Sequence, residues 1–137
     1  MQNSTILGHM LMRLVVSTVS TRLVSVDLRY EASDPYAVQL AFRRGRGAQV
    51  TWHFGRELLI DGLTRPVGEG DVRIGPTDHH PPEVSITLKS TIGSALLLAS
   101  CGPLNAFLDR TDSLVPVGYE SVEQDIDAQL ERILRGA

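Results

Sequence analysis

Disulfides, membrane spans and abundant aromatic side chains are all missing from this chain of 137 residues. Its one cysteine, Cys101, cannot form a disulfide within the chain and follows an apolar run, so we expect a buried thiol in a reducing compartment. No apolar stretch reaches the roughly 20 residues that cross a membrane as a helix. Residues 1–17 are apolar but lack a basic leading region and contain His9 and Arg13, which favours a strand over a signal peptide. We therefore expect a cytoplasmic protein without membrane insertion.

An excess of charge of either sign is also missing. The formal net charge is -3 and the isoelectric point is about 5.7, whereas a dedicated DNA-binding domain usually has a value above about 9. Hydrophobic residues make up 42% and charged residues 21% of the chain, the balance of a globular protein that can bury its own core. Because there is no internal repeat and no interdomain linker, the sequence predicts a single domain over residues 1–137.

Motifs of the common enzyme classes are absent as well. No serine lies in a GxSxG motif, and the segment GEGDVRIG has neither the GxGxxG nor the GxxxxGK[ST] spacing of a phosphate loop, which favours a turn. Among the four histidines, His9 and His53 are predicted to be outward-facing or half-buried residues of strands, while His79 and His80 are loop neighbours that point apart. This arrangement disfavours a metal site. The sequence thus predicts no catalytic residue, cofactor or metal.

Alternation of apolar and polar residues is the main pattern that is present, and it predicts a protein rich in strands. Two alternating runs flank a glycine-rich turn, which predicts a hairpin over residues 36–54 with Phe42, Trp52 and Phe54 facing the core. The other predicted elements are strands at 5–17, 23–30, 71–74, 84–88 and 95–101, helices at 56–62, 103–112 and from about 120 to 133, and a turn at 66–70.

The order of these elements indicates the fold class. Four strands, a short helix, three strands and two helices follow one another without the strand–helix–strand alternation that is typical of a parallel sheet. We therefore predict the α+β class, with antiparallel sheets packed against about three helices.

Residues 27–42, DLRYEASDPYAVQLAF, interrupt the alternation with a Ser-Asp-Pro-Tyr segment. The acid of Asp34 and the phenol of Tyr36 could belong to a site. Proline, however, fixes its own φ and offers no N–H to a sheet, which favours a hinge between two strands. We interpret the segment as a hinge. We expect Tyr30 and Tyr36 to pack against the fold with their hydroxyl groups satisfied, one of them by a neighbouring polar group.

Two charged groups are candidates for contact with a partner. Arg43, Arg44 and Arg46 cluster at the tip of the predicted hairpin, where they could bind phosphates or an acidic surface, or could form a solvated hairpin end. A basic sheet rim can also hold single-stranded nucleic acid, but the exposed aromatic residues that would stack on the bases are missing. The last predicted helix carries an acidic stripe, either a solvated face or a surface for a basic partner, which consists of Glu120, Glu123, Asp127 and Glu131.

Three stretches together resemble one family. They are residues 28–38 (LRYEASDPYAV), 54–76 (FGRELLIDGLTRPVGEGDVRIGP) and 107–120 (FLDRTDSLVPVGYE), and the chain is similar over nearly its full length to the SsgA-like family of actinobacterial sporulation and cell-division regulators. The resemblance implies a non-enzymatic protein at the division septum. It also implies curved antiparallel sheets similar to those of the whirly-type nucleic-acid-binding proteins, assembled as a homotrimer. Fold likeness alone does not imply nucleic-acid binding.

The same resemblance implies partners. An SsgA-type paralogue would place the protein at future septum sites, where it would recruit and tether the tubulin-like GTPase FtsZ. The chain length and the long first strand resemble the SsgB type, whereas residues 50–63 (VTWHFGRELLIDGL) are similar to the SsgA type, and we favour the SsgB type.

The candidate contact residues follow from charge. The surface of the FtsZ polymer is expected to be acidic, so Arg43, Arg44 and Arg46 are the first candidates, and the alternatives are Asp109, Arg110 and Asp112. Gly118 is a candidate hinge. It ends the segment Val-Pro-Val-Gly before the last helix, where it is either required for a positive φ or an ordinary loop glycine.

Overall fold

The computed structural model describes residues 4–43, 46–91, 93–122, 130 and 133–134. In chain order its elements are β1 (Thr5–Ser17), β2 (Ser20–Glu31), β3 (Ala37–Arg43), β4 (Gln49–Gly55), α1 (Arg56–Gly62), β5 (Val67–Glu69), β6 (Val72–Pro76), β7 (Glu83–Ser90), β8 (Gly93–Ser100) and α2 (Cys101–Leu114). Residues 120–122, 130, 133 and 134 are also helical, at the place of the predicted last helix. Three members of its predicted acidic stripe lie outside the described residues: Glu123, Asp127 and Glu131.

The eight strands form one curled antiparallel sheet. Its strand order is β4-β3-β2-β1-β8-β7-β6-β5, so all sheet neighbours except β1 and β8 are consecutive in sequence. Strands β1 and β8 meet where Arg13 lies opposite Leu98 and Leu14 lies opposite Leu97. This contact joins the two four-stranded halves of the chain and confirms the predicted α+β class with curved antiparallel strands.

Alternation gives the sheet an inner and an outer face. On β1 the even-numbered residues Met10, Met12 and Leu14 are buried, whereas Leu7 and Leu11 are more than half exposed. Strand β2 keeps the same parity, with its even-numbered residues from 24 to 30 buried. Burying such a side chain stabilises the fold by about 1.5–3 kcal/mol, so the inner face holds the core.

Glycines allow the two helices to approach the inner face closely. A Cβ atom on Gly62, at the end of α1, would collide with the side chain of Ile74 on β6. A Cβ atom on Gly8 of β1 would lie 2.8 Å from Phe107 Cδ1 on α2. Larger residues at either position would force the helix and the sheet apart. No helix within the described ranges is long and apolar enough to cross a membrane.

The prediction of a turn at residues 66–70 is wrong. Residues Val67–Glu69 form β5, which pairs with β6 and is joined to it by Gly70 and Asp71, with Gly70 at φ +59°. A three-residue strand at the edge of a sheet is too short to show a period of two, so only its pairing reveals it.

The boundary between β8 and α2 also differs from the prediction. Cys101 opens α2 instead of ending the strand, and the helix extends to Leu114. Because the first N–H groups of a helix have no partner within it, Pro103 fits inside the first turn and does not have to start it. The predicted hairpin and α1 are confirmed. Phe42 and Phe54 are buried as expected, but Trp52 is only half-buried.

Candidate functional site

Of the three hairpin arginines, the structure describes Arg43 and Arg46, and both are exposed. Arg43 ends β3 and is exposed, and Arg46 is exposed in the turn that follows. Neither forms an ion pair within 4.0 Å with another described residue. Arg44 lies outside the described residues. The positive charges of Arg43 and Arg46 are therefore available to a partner.

The alternative contacts on α2 are exposed, but two of them are engaged within the chain. Arg110 Nη1 donates a hydrogen bond of 2.7 Å to the backbone oxygen of Leu7 on β1. The Asp112 carboxylate accepts a hydrogen bond of 2.9 Å from the N–H of Val117. Asp109 is exposed, and its backbone oxygen accepts a bond from the hydroxyl of a serine one turn later. Arg110 and Asp112 thus fix α2 to the sheet and to the segment after the helix.

Gly118 lies in a tight turn between α2 and the last helical residues. The N–H of Tyr119 donates to the oxygen of Pro116 at 3.0 Å, and Gly118 has φ +96°. Glycine at the third position with positive φ is typical of a type II turn. A Cβ atom on Gly118 would meet nothing within 4 Å, so the backbone conformation alone requires glycine here. Its role as a hinge stays a prediction.

Arg56, which the sequence did not single out, forms hydrogen bonds to residues before and after this turn. It is the first residue of α1 and is fully buried. Its Nη1 donates to the backbone oxygens of Val115 at 2.7 Å and Thr111 at 3.2 Å, and its Nη2 donates to the Glu120 carboxylate at 2.7 Å. Its guanidinium carbon lies 4.8 Å from the centre of the Tyr30 ring. We call Arg56 and Glu120, with the carbonyls of Thr111 and Val115, the Arg56 junction.

Glu120 links the Arg56 junction to Gly118. One carboxylate oxygen accepts the bond from Arg56, and the other accepts a bond of 2.8 Å from the N–H of Gly118. Partial burial acts to raise the pKa of Glu120, but the hydrogen bonds from Arg56 and from backbone N–H groups, together with the positive charge of Arg56, lower it overall. The carboxylate therefore stays ionised and holds the glycine amide in place.

The predicted strand hinge is joined to the same junction. The Tyr30 hydroxyl donates to the oxygen of Pro35 at 2.9 Å, as expected of a satisfied tyrosine. The backbone oxygen of Tyr36 accepts a bond of 2.7 Å from the N–H of Arg56. The side chain of Tyr36 is 49% exposed, so the expectation that it packs like Tyr30 is wrong. Its backbone, and not its phenol, is the part that the fold uses.

Ser25, His9 and Asp27 form a hydrogen-bonded chain on the outer face with the connectivity of a hydrolase triad. His9 Nδ1 lies 3.0 Å from Asp27 Oδ1, and His9 Nε2 lies 3.2 Å from Ser25 Oγ. The side chains of His9 and Asp27 are 59% and 70% exposed, so water screens the carboxylate that would have to stabilise a charged imidazole. Ser25 also lies within a strand and not on a sharp turn. We interpret the three hydrogen-bonded side chains as a polar network between neighbouring strands.

Cys101 is half-buried and not fully buried as the sequence predicts. Burial raises its pKa, and the negative charge of Glu83 raises it further, which disfavours the reactive thiolate. Among the described ranges, no group of three or more His, Cys, Asp or Glu side chains is placed to hold a metal ion.

Sequence reasoning found the hairpin arginines and Gly118 but missed Arg56, Glu120 as its partner, and the His9 network. Arg56 lies in the motif FGREL of the family-like stretch, yet the sequence offers no sign that this arginine is buried. Its partners are 55–64 residues away in the chain. Only the fold brings them together.

Known proteins resemble this chain in sequence and in structure. The family described as Streptomyces sporulation and cell division protein, SsgA, matches residues 24–120. The sporulation-specific cell division protein SsgB of Streptomyces coelicolor is 45% identical over 133 residues, which cover 96% of this chain and 97% of that protein. SsgB of Thermobifida fusca is 48% identical over 104 residues, which cover 75% of each protein.

Solved structures agree with these relatives. A structure from work on SsgB mutations that correlate with longitudinal cell division in Streptomyces coelicolor has a TM-score of 0.84 and 45% identity, covering 88% of this chain and 96% of that one. The crystal structure of an SsgA-like sporulation-specific cell division protein from Thermobifida fusca has a TM-score of 0.87 and 40% identity, covering 95% and 96%. The family match spans more than half of the chain, and the relatives named SsgB align with most of it. The chain therefore belongs to the SsgA-like family of sporulation and cell-division proteins.

Proposed function

We propose that this protein is a non-enzymatic scaffold of sporulation-specific cell division, which marks septum sites and recruits and tethers FtsZ. The cell-division setting is supported by relatives named sporulation-specific cell division protein, which align with nearly the whole chain. The scaffold role is supported by the character of the site. The fully buried side chain of Arg56 holds a turn in place through its hydrogen bonds and does not present a reactive group to solvent.

The observation that carries the proposed contact with FtsZ is the pair of exposed arginines at the hairpin. Arg43 ends β3, Arg46 lies in the turn that follows, both are exposed, and neither has an acidic partner among the described residues. An acidic polymer surface would neutralise them and gain charge-assisted hydrogen bonds. Each such exposed contact is weak by itself.

Several copies of one weak contact can act together. If the protein assembles as a homotrimer, three arginine patches are presented to a polymer that repeats its own binding surface. After the first contact, each later contact is intramolecular, and this raises the overall affinity without any new kind of interaction. The proposed oligomer would thus convert weak binding into stable tethering at the septum.

Co-sedimentation with FtsZ polymers tests this proposal. The wild-type protein should pellet with polymerised FtsZ and stay in solution with unpolymerised FtsZ. Reversing Arg43, Arg44 and Arg46 to glutamate should abolish pelleting, and salt should weaken the wild-type interaction. A matched control reverses three other arginines that make the same change in net charge: Arg22, Arg65 and Arg73.

The control separates a local contact from general electrostatic attraction. If both triple variants lose binding equally, net charge and not the hairpin is responsible. If the hairpin variant still pellets like the wild type, the arginine patch is the wrong surface, and Asp109, Arg110 and Asp112 are tested next. A wild-type protein that never pellets with FtsZ would contradict the proposed function itself.

An SsgA-type paralogue is the proposed second partner. It would bring this protein to future septum sites before FtsZ arrives. A fluorescent fusion of this chain should form regular foci in sporulating cells, and those foci should disappear when the paralogue is deleted. Foci that form normally without the paralogue would contradict this part of the proposal.

A module for single-stranded nucleic acid is the alternative function. A groove of about 490 Å³ crosses the outer face over β1 to β4, and its lining includes His9, Arg29 and Thr51 but no Phe, Tyr or Trp of the described residues. Phe42 and Phe54 are buried on the other face. Without such a stacking surface, the groove lacks the base–aromatic contacts that contribute much of the affinity for single-stranded nucleic acid. A salt-dependent gel shift with single-stranded DNA or RNA at physiological ionic strength would favour this alternative.

A further inference from the structure

Strand β4 forms a free edge of the sheet. Among the described strands the order begins with β4 and ends with β5, so these two are the edges. Sheet edges are commonly protected from pairing with another chain by shortness, proline, charge or a bulge. Strand β5 has such protection, because it has only three residues, follows Pro66 and ends at Glu69.

Strand β4 has none of these protections. It has seven residues, QVTWHFG, and contains no proline, aspartate, glutamate, lysine or arginine. Its register with β3 runs without a bulge from Gly55 opposite Ala37 to Gln49 opposite Arg43. A long, uncharged edge without a bulge is a ready template for an added strand.

The hydrogen bonds of β4 show which backbone groups face this edge. The N–H of Arg56 donates to the oxygen of Tyr36, so the adjacent pair of Ala37 and Gly55 does not exchange hydrogen bonds. Bonded and non-bonded pairs alternate in an antiparallel ladder. The N–H and C=O groups that point away from β3 therefore belong to three exposed residues: Gln49, Thr51 and His53. No backbone hydrogen bond between described residues uses these groups.

A cavity of about 290 Å³ lies beside this edge on the inner face of the sheet. Its lining includes Phe42, Val50, Trp52 and Leu88, and it reaches Thr51 on the edge itself. A cavity of about 150 Å³ is enough to bind benzene, so this one can take a phenylalanine or a branched aliphatic side chain. Because side chains alternate along a strand, a strand added to β4 would point every second side chain toward this cavity.

The outer side of the same edge is polar. The groove of about 490 Å³ described above has Gln39, Gln49 and Thr51 in its lining. The alternate side chains of an added strand would therefore meet polar groups outside and apolar groups inside. In strand addition to a sheet edge, main-chain hydrogen bonds supply affinity and pockets for alternate side chains supply specificity.

Charge at one end of the edge distinguishes between possible occupants. Arg43 lies opposite Gln49, Arg46 lies in the turn before it, and neither arginine forms an ion pair with another described residue. The β4 strand of a second copy has no acidic residue to offer these cations. A nucleic acid has the charge but not the row of N–H and C=O groups. A peptide with acidic residues at this end satisfies both the cations and the backbone edge.

We propose that β4 binds an extended peptide segment of another protein as an additional strand of the sheet. An apolar side chain of the peptide lies in the inner cavity, and acidic residues lie beside Arg43 and Arg46. The antiparallel orientation is expected because it is the more stable one per residue, and it places the acidic residues after the apolar one in the peptide. The site goes beyond the proposed contact with FtsZ, because it stands whether or not FtsZ carries such a peptide.

The fluorescence of Trp52 tests the proposal, since this residue is the one tryptophan of the chain and lines the inner cavity. The probes are capped synthetic peptides of the sequence GTVTXTEDE, in which X is Phe, Leu or Ile. Binding should shift the emission of Trp52 to shorter wavelength as water leaves the cavity, and salt should weaken binding. The control peptide GTVTXTKRK has the opposite charge and should bind at least about 10-fold more weakly.

Methylation of the peptide backbone separates strand addition from other modes of binding. Only every second N–H of an added strand faces β4, so two peptides are compared, one methylated on the nitrogen of X and one on the nitrogen of the next threonine. One of the two should lose a hydrogen bond to β4 and bind at least about 10-fold more weakly than the other. This comparison needs no variant of the protein.

A protein variant tests the same contact from the other side. Thr51→Pro removes an N–H that faces the free edge and leaves the bonds to β3 in place, a position where a strand tolerates proline. It should weaken peptide binding at least about 10-fold, whereas the control Thr51→Ala keeps the N–H and should bind like the wild type. Far-UV circular dichroism and the thermal midpoint check the folding of both variants, and the methylated peptides decide alone if the proline variant unfolds.

Four results would overturn the inference. The first is an unchanged Trp52 emission with all three acidic peptides at about 1 mM. The second is equal affinity for the two methylated peptides. The third is a folded Thr51→Pro variant that binds as tightly as Thr51→Ala. The fourth is a lower solution mass of Thr51→Pro than of Thr51→Ala by light scattering, which would assign the edge to a second copy. Because no FtsZ is present, none of these results bears on the proposed contact with FtsZ.

Discussion

Replacing Glu120 by alanine should destabilise the fold strongly, because it leaves the buried guanidinium of Arg56 without its counter-ion. The side chain of Arg56 is 1% exposed and that of Glu120 is 13% exposed, so water cannot readily replace the lost carboxylate. The Nε atom of Arg56 already has no hydrogen-bond partner among the described residues. Removing Glu120 would add a second unsatisfied donor to the same buried cation.

The expected loss in the free energy of unfolding is about 3 kcal/mol, the lower end of the range for breaking a buried ion pair. The lower end applies because the carbonyls of Thr111 and Val115 and the ring of Tyr30 still surround Arg56. For a small domain with a urea m-value of about 1.5–2 kcal/mol per M, the midpoint should fall by roughly 1.5–2 M. Ser121→Ala, at the exposed next position, is the control and should unfold close to the wild type.

The pH dependence follows from the lowered pKa of Glu120. A carboxyl whose pKa is lower in the folded state than its ordinary value of 4.5 contributes stability above that value and loses it as the pH falls through the folded-state pKa. Glu120→Gln should therefore be less stable than the wild type at about pH 6, and the difference should shrink below about pH 4.5. Urea unfolding at several pH values measures this difference.

Two outcomes would refute the reasoning. If Glu120→Ala and Ser121→Ala unfold at the same urea concentration, the ion pair contributes nothing and the junction is held by the carbonyls alone. If the difference between the wild type and Glu120→Gln grows as the pH falls, the carboxyl does not have a lowered pKa in the folded state.

Three further substitutions test the packing around this junction. Gly118→Ala should lower the free energy of unfolding by about 1–2 kcal/mol because of the positive φ at this position, and it should reorient the helical residues that follow. The control Gly102→Ala, at a position with an ordinary φ and open space, should leave the stability unchanged. An unchanged position of these helical residues in a crystal structure, together with unchanged septation, would contradict the role of Gly118 as a hinge. Gly62→Ala should cost about 1–3 kcal/mol through collision with Cγ2 and Cβ of Ile74, and Ile74→Val should not recover the loss because valine keeps both atoms; a thermal midpoint equal to that of the wild type would show that α1 can shift freely. Tyr30→Phe should cost about 1 kcal/mol in urea unfolding by removing one buried hydrogen bond, and no change would mean that the bond is replaced by water.

Most of the fold could be predicted because inward-facing and outward-facing residues alternate regularly along the long strands. Strand β1 shows this over 13 residues, with Met10, Met12 and Leu14 inside. Where the pattern was short it failed, as at β5, whose three residues form a strand only because β6 lies beside them. At the start of α2, the N–H of Cys101 donates a hydrogen bond to the backbone oxygen of Pro82. No local sequence pattern encodes this contact, so the boundary between β8 and α2 could not be predicted.

The candidate site was only partly predictable, for a related reason. Gly118 could be found because Pro-Val-Gly is a local turn signal with a backbone requirement. Arg56 could not be found because charged residues are almost never fully buried, so the expectation for any arginine is a solvent-exposed side chain. Its burial is tolerated because acceptors from the last turn of α2 and from the segment after it, more than 50 residues away, converge on it.

The strand hinge and the Gly118 turn are connected through Arg56 by a chain of direct contacts. The turn at Pro35 places the Tyr36 oxygen, which accepts the N–H of Arg56. The side chain of Arg56 then fixes Glu120, whose second oxygen holds the N–H of Gly118. A change at Pro35 that moved the Tyr36 carbonyl would therefore reach Gly118 without touching it. The family-like stretches at residues 28–38, 54–76 and 107–120 each supply one part of this chain of contacts, and this gives a physical reason for them to occur together.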